Sequence, residues 1–182
     1  MHQIFLALAV ADLTLILISY GLGWFVPSGG GGIVRDVHFL VGLLTMLATL
    51  MVHGVVYTYF IGTGKWVGEV TRVYRLPEWM EVQAKRNKRR AMPFITWGML
   101  AMGATVWLGA AADTMRGFGG TWHFLVATFT LGFTLGAFFL EYRAIVGQMR
   151  LLAEVKVRAD EGRRLALDLD AAGGAAAAPA AS

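Results

Sequence analysis

Cysteine is absent from the 182 residues, and proline and charge are scarce, with four prolines and 15% charged side chains. Without cysteine there are no disulfides, thiolate metal sites, iron–sulfur clusters or haem attached through Cys-x-x-Cys-His. Any metal must be held by histidine, methionine or carboxylate. The lack of charge is equally restrictive. A soluble domain carries about 25% charged and about 45–50% apolar residues, whereas this chain is 57% hydrophobic with a mean hydropathy of +0.58. Hydrolytic and phosphate-binding motifs are missing too, with no nucleophile–base signature, P-loop or zinc-protease sequence. Whether the chain is an enzyme is left open, and the catalytic role still available to it is electron transfer.

What is present is a set of four apolar runs, near 4–26, 37–62, 93–112 and 121–140. Each approaches the 20 or so residues that cross a bilayer. The first has no lysine or arginine before its apolar core and outlasts a signal peptide's core, so it is read as a retained span. The expected fold is an all-α integral membrane protein with four transmembrane helices in an up-down bundle. The expected domain covers 1–170, with a cytoplasmic connector at 65–92 and a helical extension at 141–170. The Ala/Gly-rich tail 171–182 reads as disordered. Pro77 is expected to break the connector, leaving a basic surface helix over 78–90, and Pro93 to open the third span.

Basic residues set the orientation. The connector holds Lys65, Arg72, Arg75 and the run KRNKRR, and more follow the fourth span, whereas the other two connectors carry only Arg35 and Arg116. Both termini are therefore expected in the cytoplasm, in a bacterial-type inner membrane. The formal charge of +4 reads as a topology and lipid-surface signal, and no nucleic-acid partner is needed.

The segment HFLV occurs twice, at His38 and at His123. The offset of 85 residues that carries one onto the other also matches Thr45, Thr49 and Leu50 with Thr130, Thr134 and Leu135, and Tyr57 and Glu69 with Tyr142 and Glu154. The first and third spans show no comparable match at that offset. This predicts two related helical hairpins, with spans two and four parallel and on a bundle diagonal.

The repeat puts His38 and His123 at equal depth near the external face. His38, Thr45 and Thr49 share one helical face, and His123, Thr130 and Thr134 repeat it, a stripe suited to the bundle interior. Two imidazoles on diagonal helices are the axial ligands of a haem b, whereas a bare metal ion needs further ligands. His38 and His123 are thus the candidate iron ligands. His53 lies about 22 Å further along its helix and is a third candidate cofactor ligand, with Met99 or Met102 as a possible second axial ligand. Asp12, at similar depth on span one, is its candidate polar partner. Histidines at two levels of one helix resemble the membrane b-type cytochromes, a likeness of architecture confined to spans two and four.

The expected function is a haem-binding electron-transfer subunit. Its rivals are a cofactor-free accessory subunit of a larger membrane complex and, behind it, a small proton-coupled transporter built on Asp12 and His53. Expected partners are the lipid bilayer and either other subunits or a second copy. The orientation is directly measurable. A reporter fused after Arg90 or at Ser182 is expected to read cytoplasmic, and one inserted in 29–32 external, while an external C-terminus would reverse the assignment.

Overall fold

The computed structural model describes residues 1–26, 32–115 and 120–176, with side chains to 169. Four helices follow one another: α1 (His2–Gly23), α2 (Ile33–Val73), α3 (Trp79–Thr114) and α4 (Gly120–Ala176). No strand occurs among the described residues. All four are long and apolar enough to cross a membrane. Consecutive helices pack as neighbours and α1 closes on α4, while α2 and α4 also touch across the diagonal and α1 and α3 do not meet. The section is therefore a rhombus with α2 and α4 on its short axis.

Each helix buries a narrow stripe. On α1 it is Phe5, Ala9, Asp12 and Ile16, and on α3 it begins Met80, Ala84, Asn87, Ala91, Ile95, Gly98, Met102. Steps of three and four residues are the seam of helices packed at shallow angles. Outside the stripes the surface is apolar, with Leu6, Leu17, Leu47, Leu100, Phe129 and Leu135 all at least half exposed. Inside lie Asp12, His53, Asn87, Glu141, Gln148 and, among the described residues, five threonines. Polar groups inside and leucines outside invert the distribution expected in water.

The buried positions of the two halves correspond. On α2, Thr45, Thr49, Val52, His53, Val56 and Phe60 are buried, and at an offset of 85 so are Thr130, Thr134, Ala137, Phe138, Glu141 and Ile145 on α4. The α1 stripe maps onto Ala91, Ile95, Gly98 and Met102 of α3 at an offset of 86. One extra residue between Gly23 and His38, compared with Gly109 and His123, accounts for the change of offset.

Two expectations change at the basic end. Residues 79–90 do not form a separate surface helix, because α3 is continuous from Trp79 and carries Pro93 in its interior. Proline at that point removes one backbone donor and leaves the Arg89 carbonyl without its usual partner. The helix is held regardless by burial on both sides, Ala91 and Ile95 in the main core and Met80 and Ala84 in a second core with Val67, Leu151 and Val155. The connector thus joins the later parts of α2 and α4 in a three-helix extension that α1 does not reach. Between the two cores, Asn87 donates to Gln148 (3.1 Å) and Gln148 to Thr63 (3.2 Å), linking α2, α3 and α4. On the extension's surface the Lys85 ammonium, 2.7 Å from Glu81, holds that carboxyl below its usual range. Likewise α4 runs to Ala176, into the segment expected as a disordered tail, and 177–182 lie outside the described residues, as do most of both short loops.

The end of α2 is a Schellman turn, in which the Leu76 N–H reaches the Thr71 carbonyl at 2.9 Å and Leu76 packs on the second core. The residue in the left-handed position is Arg75, at φ 50°, where glycine is the unstrained choice. Arg75→Gly is expected to stabilise the protein by about 1 kcal/mol, read as a raised melting temperature by circular dichroism in detergent.

Candidate functional site

The interior carries two polar sites in line. At the end near the short loops, His38 of α2 and His123 of α4 face each other across the diagonal, with ring centroids 6.1 Å apart and planes at 72°. His38 Nδ1 lies 3.0 Å from the Ser19 carbonyl on α1, and His123 Nδ1 lies 3.0 Å from the Thr105 carbonyl on α3. A carbonyl only accepts, so each Nδ1 carries the hydrogen, and in the neutral ring Nε2 keeps a free lone pair. Ser19 and Thr105 correspond at the same offset of 86 residues as the buried stripes. So do Gly23 and Gly109, where an added Cβ would sit 3.3 Å from His38 Cε1 and 3.0 Å from His123 Cε1. Both halves use one device, a glycine that lets the ring lie on the neighbouring helix and a carbonyl one turn away that fixes its tautomer.

The donor set suits one kind of group. A ligating histidine characteristically gives its other ring N–H to a carbonyl or carboxylate, which orients the ring and raises its basicity. Two metal–nitrogen bonds of about 2.0–2.1 Å, with roughly 1 Å from each nitrogen to its ring centre, span about 6 Å. The separation of 6.1 Å is compatible with that span, and it is also the distance of an ordinary edge-to-face ring contact. No third histidine, aspartate or glutamate joins them among the described residues. A two-imidazole set is incomplete for a bare ion and complete for an iron whose other four ligands come from a porphyrin. Threonines occupy the next turns, where Thr105 and Thr130 hydroxyls meet at 2.8 Å.

Deeper in the bundle lies the second site. Thr49 Oγ1 stands 3.0 Å from both oxygens of Asp12, joining α1 to α2. His53 Nδ1 stands 3.0 Å from Glu141 Oε1, and neither side chain has any solvent exposure. That approach is an ion-pair distance without the alignment of a hydrogen bond, and both nitrogens of His53 and both oxygens of Glu141 have no hydrogen-bond partner among the described residues. The expected direct Asp12–His53 pair thus gives way to two contacts one helical turn apart, Asp12 with Thr49 and His53 with Glu141. The reason is side-chain direction, since Thr49, a turn before His53, takes the Asp12 carboxylate while the imidazole turns to α4.

His53 is not placed to ligate iron, with or without Met99 or Met102. Its Nε2 edge is packed on the backbone of Gly98, where an added Cβ would lie 2.9 Å from His53 Cε1 and closer still to Nε2. The ring fills the space that a metal would need.

Glu141, first residue of the expected cytoplasmic extension 141–170, belongs instead to the buried interior. Helical phase carries the missing signal, because 18 residues from His123 to Glu141 are five full turns, on the face already assigned to the interior. Gly98 left no such trace. The two halves differ where this site is built. Asp12 corresponds to Gly98, His53 to Phe138 and Val56 to Glu141, so every ionisable group stands opposite a residue that cannot ionise.

Comparison of the chain with protein-family models, with curated proteins and with solved structures returns no match. Function is therefore argued from geometry alone. Gly98→Ala tests that geometry, since its methyl must displace a buried ring with nowhere to go. Overpacking of this kind costs about 1–3 kcal/mol. A thermal midpoint unchanged from wild type would show that His53 is not seated there.

Proposed function

We infer that this chain is an integral membrane protein of two related helical hairpins that binds one haem b between His38 and His123 and carries single electrons. The observation that carries this reading is the matched pair of imidazoles, 6.1 Å apart, each clipped through Nδ1 to a carbonyl of a different helix.

Several features support the membrane setting. The exterior is leucine-rich, and the mainly apolar interior also holds Asp12, His53, Glu141 and several threonines. With 22 residues, α1 is about 33 Å long, close to the hydrocarbon thickness of about 30 Å. Trp24, Trp107 and Trp122, all exposed, lie within two residues of Gly23, Gly109 and His123. Tryptophans at one level mark a membrane–water interface, and this level is that of the histidine pair. Trp66 and Trp79 are partly exposed near the opposite end, and Trp97 lies between the two levels. The basic three-helix extension then faces the cytoplasm, and the histidine pair lies under the external surface.

Bound haem supplies reversible one-electron chemistry at iron. The chain's own contribution is to hold two Nε2 lone pairs at fixed separation, with the Ser19 and Thr105 carbonyls keeping both rings in the ligating tautomer. A site just below the interface places an electron within reach of an external redox protein and of a lipid-soluble donor.

The visible spectrum decides the matter. Purified, haem-supplemented protein reduced with dithionite is expected to show the sharp α and β bands of six-coordinate haem b. His38→Ala and His123→Ala are each expected to abolish or convert them, and His2→Ala to leave them intact. A pure preparation with no Soret band would falsify the proposal and favour an accessory subunit without cofactor.

A further inference from the structure

Three buried ionisable groups have no part in holding a haem, and their environment is unlike that of structural polar contacts. Asp12 is 1% exposed and His53 and Glu141 are 0%, and they come from three helices. The groups around them carry no further charge. Toward His53 and Glu141, α1 presents Asp12, α2 presents Thr49 and α3 presents Gly98. On α4, Arg143 turns outward to lie over Phe139 at 5.9 Å. Tyr59 and Tyr142 pack against the main core, and Tyr57 lies one turn from His53 on α2 and is exposed. The Gln148 amide, two turns beyond Glu141, is engaged by Asn87 and Thr63.

Buried ion pairs kept only for structure satisfy their remaining donors and acceptors. Here four polar atoms of the pair have no hydrogen-bond partner among the described residues, and the buried Thr134 hydroxyl, two turns before Glu141 on α4, has none either. Charge points the same way. With both carboxylates ionised and His53 protonated, the cluster carries one net negative charge inside an apolar bundle. One more proton makes it neutral, and a low-dielectric interior favours the neutral total.

We propose that His53, Glu141 and Asp12 form a proton-binding site in the middle of the bundle, loaded from the end that carries His38 and His123. The site takes one proton from the aqueous phase, converting carboxylate plus imidazolium to carboxylic acid plus imidazolium. Before loading, the single proton of the pair can lie on either partner, as imidazolium beside carboxylate or imidazole beside carboxylic acid, across the 3.0 Å between His53 Nδ1 and Glu141 Oε1. Access follows the hydroxyls, since Thr45, Thr49, Thr130 and Thr134 are all buried and step along α2 and α4 from the histidine pair to the cluster. Toward the basic end the core narrows to Phe5, Phe60, Ala91 and Ile145, with Tyr59 and its buried hydroxyl packed against it. The site does not depend on haem.

The test uses the full chain in lipid nanodiscs, followed by infrared difference spectroscopy between pH steps in water and deuterium oxide. The expected signal is the carbonyl stretch of a buried carboxylic acid, shifted by deuteration and titrating together with an imidazole ring band. Glu141→Gln is expected to remove the carboxyl signal and its paired ring band. The double change His53→Phe with Glu141→Val copies the residues of the opposite half, Phe138 and Val56. It is expected to fold, as judged by elution and melting, and to be silent. Thr134→Val is expected to slow deuterium exchange of the wild-type signal about tenfold, and an unchanged rate overturns the route. A carboxyl signal that survives Glu141→Gln, or no titration across the pH range in which the protein stays folded, overturns the site. None of these readouts contains a haem band, so failure here and failure of the haem reading are separate results.

Discussion

An imidazole whose Nδ1 hydrogen is committed to a backbone carbonyl can neither flip nor rotate without breaking that bond. The bundle applies this constraint twice, at His38 through α1 and at His123 through α3. Each clip fixes the rotation of two adjacent helices relative to one another, because the ring must lie flat on a glycine and reach a carbonyl one turn away. Once those rotations are set, helical periodicity dictates the rest. Thr45, Thr49 and His53 turn inward on α2, and Thr130, Thr134 and Glu141 on α4. The inner cluster is thus a downstream product of two hydrogen bonds some 20 Å away along the helix axis.

Polar residues inside such a bundle are costly, and several threonines limit the cost by bonding back to their own helices, although Thr130 bonds across to α3 and Thr134 finds no partner among the described residues. Thr45 donates to the Val41 carbonyl and Thr105 to the Ala101 carbonyl, so these hydroxyls bring little unmet demand into the core. Asp12, His53 and Glu141 have no such local remedy. Their side chains must find partners on other helices, which makes them the groups that tie α1, α2 and α4 to a single arrangement.

Much of the bundle was legible in the residues. Four apolar runs gave four helices, Pro77 falls between α2 and α3, and the HFLV repeat put two histidines at one level, where the rings do meet. The matched packing of α1 and α3 was not legible, because at their offset of 86 only Leu22 and Gly23 are identical to their counterparts, Leu108 and Gly109, and a one-residue difference in connector length shifts their register. Only burial aligns Phe5 with Ala91 or Asp12 with Gly98. Glu141 was misread because a span counted as 20 residues ends at Leu140, whereas the helix continues without a break and keeps the same face inward. The connector was misread because its charge dominates its composition, although Met80, Ala84, Asn87 and Ala91 supply a regular buried stripe beneath the lysines and arginines.

The length of α4 has a mechanical consequence. One uninterrupted helix connects His123, at one end of the bundle, to Ala176 beyond the three-helix extension, a distance of about 80 Å along its axis. Such a rod is a lever whose short arm is gripped by the Thr105 carbonyl. A tilt of about 5° at the histidine moves the far tip by roughly 7 Å over that length. A small re-seating of one ring is therefore magnified into a displacement the size of a side chain at the opposite end of the molecule.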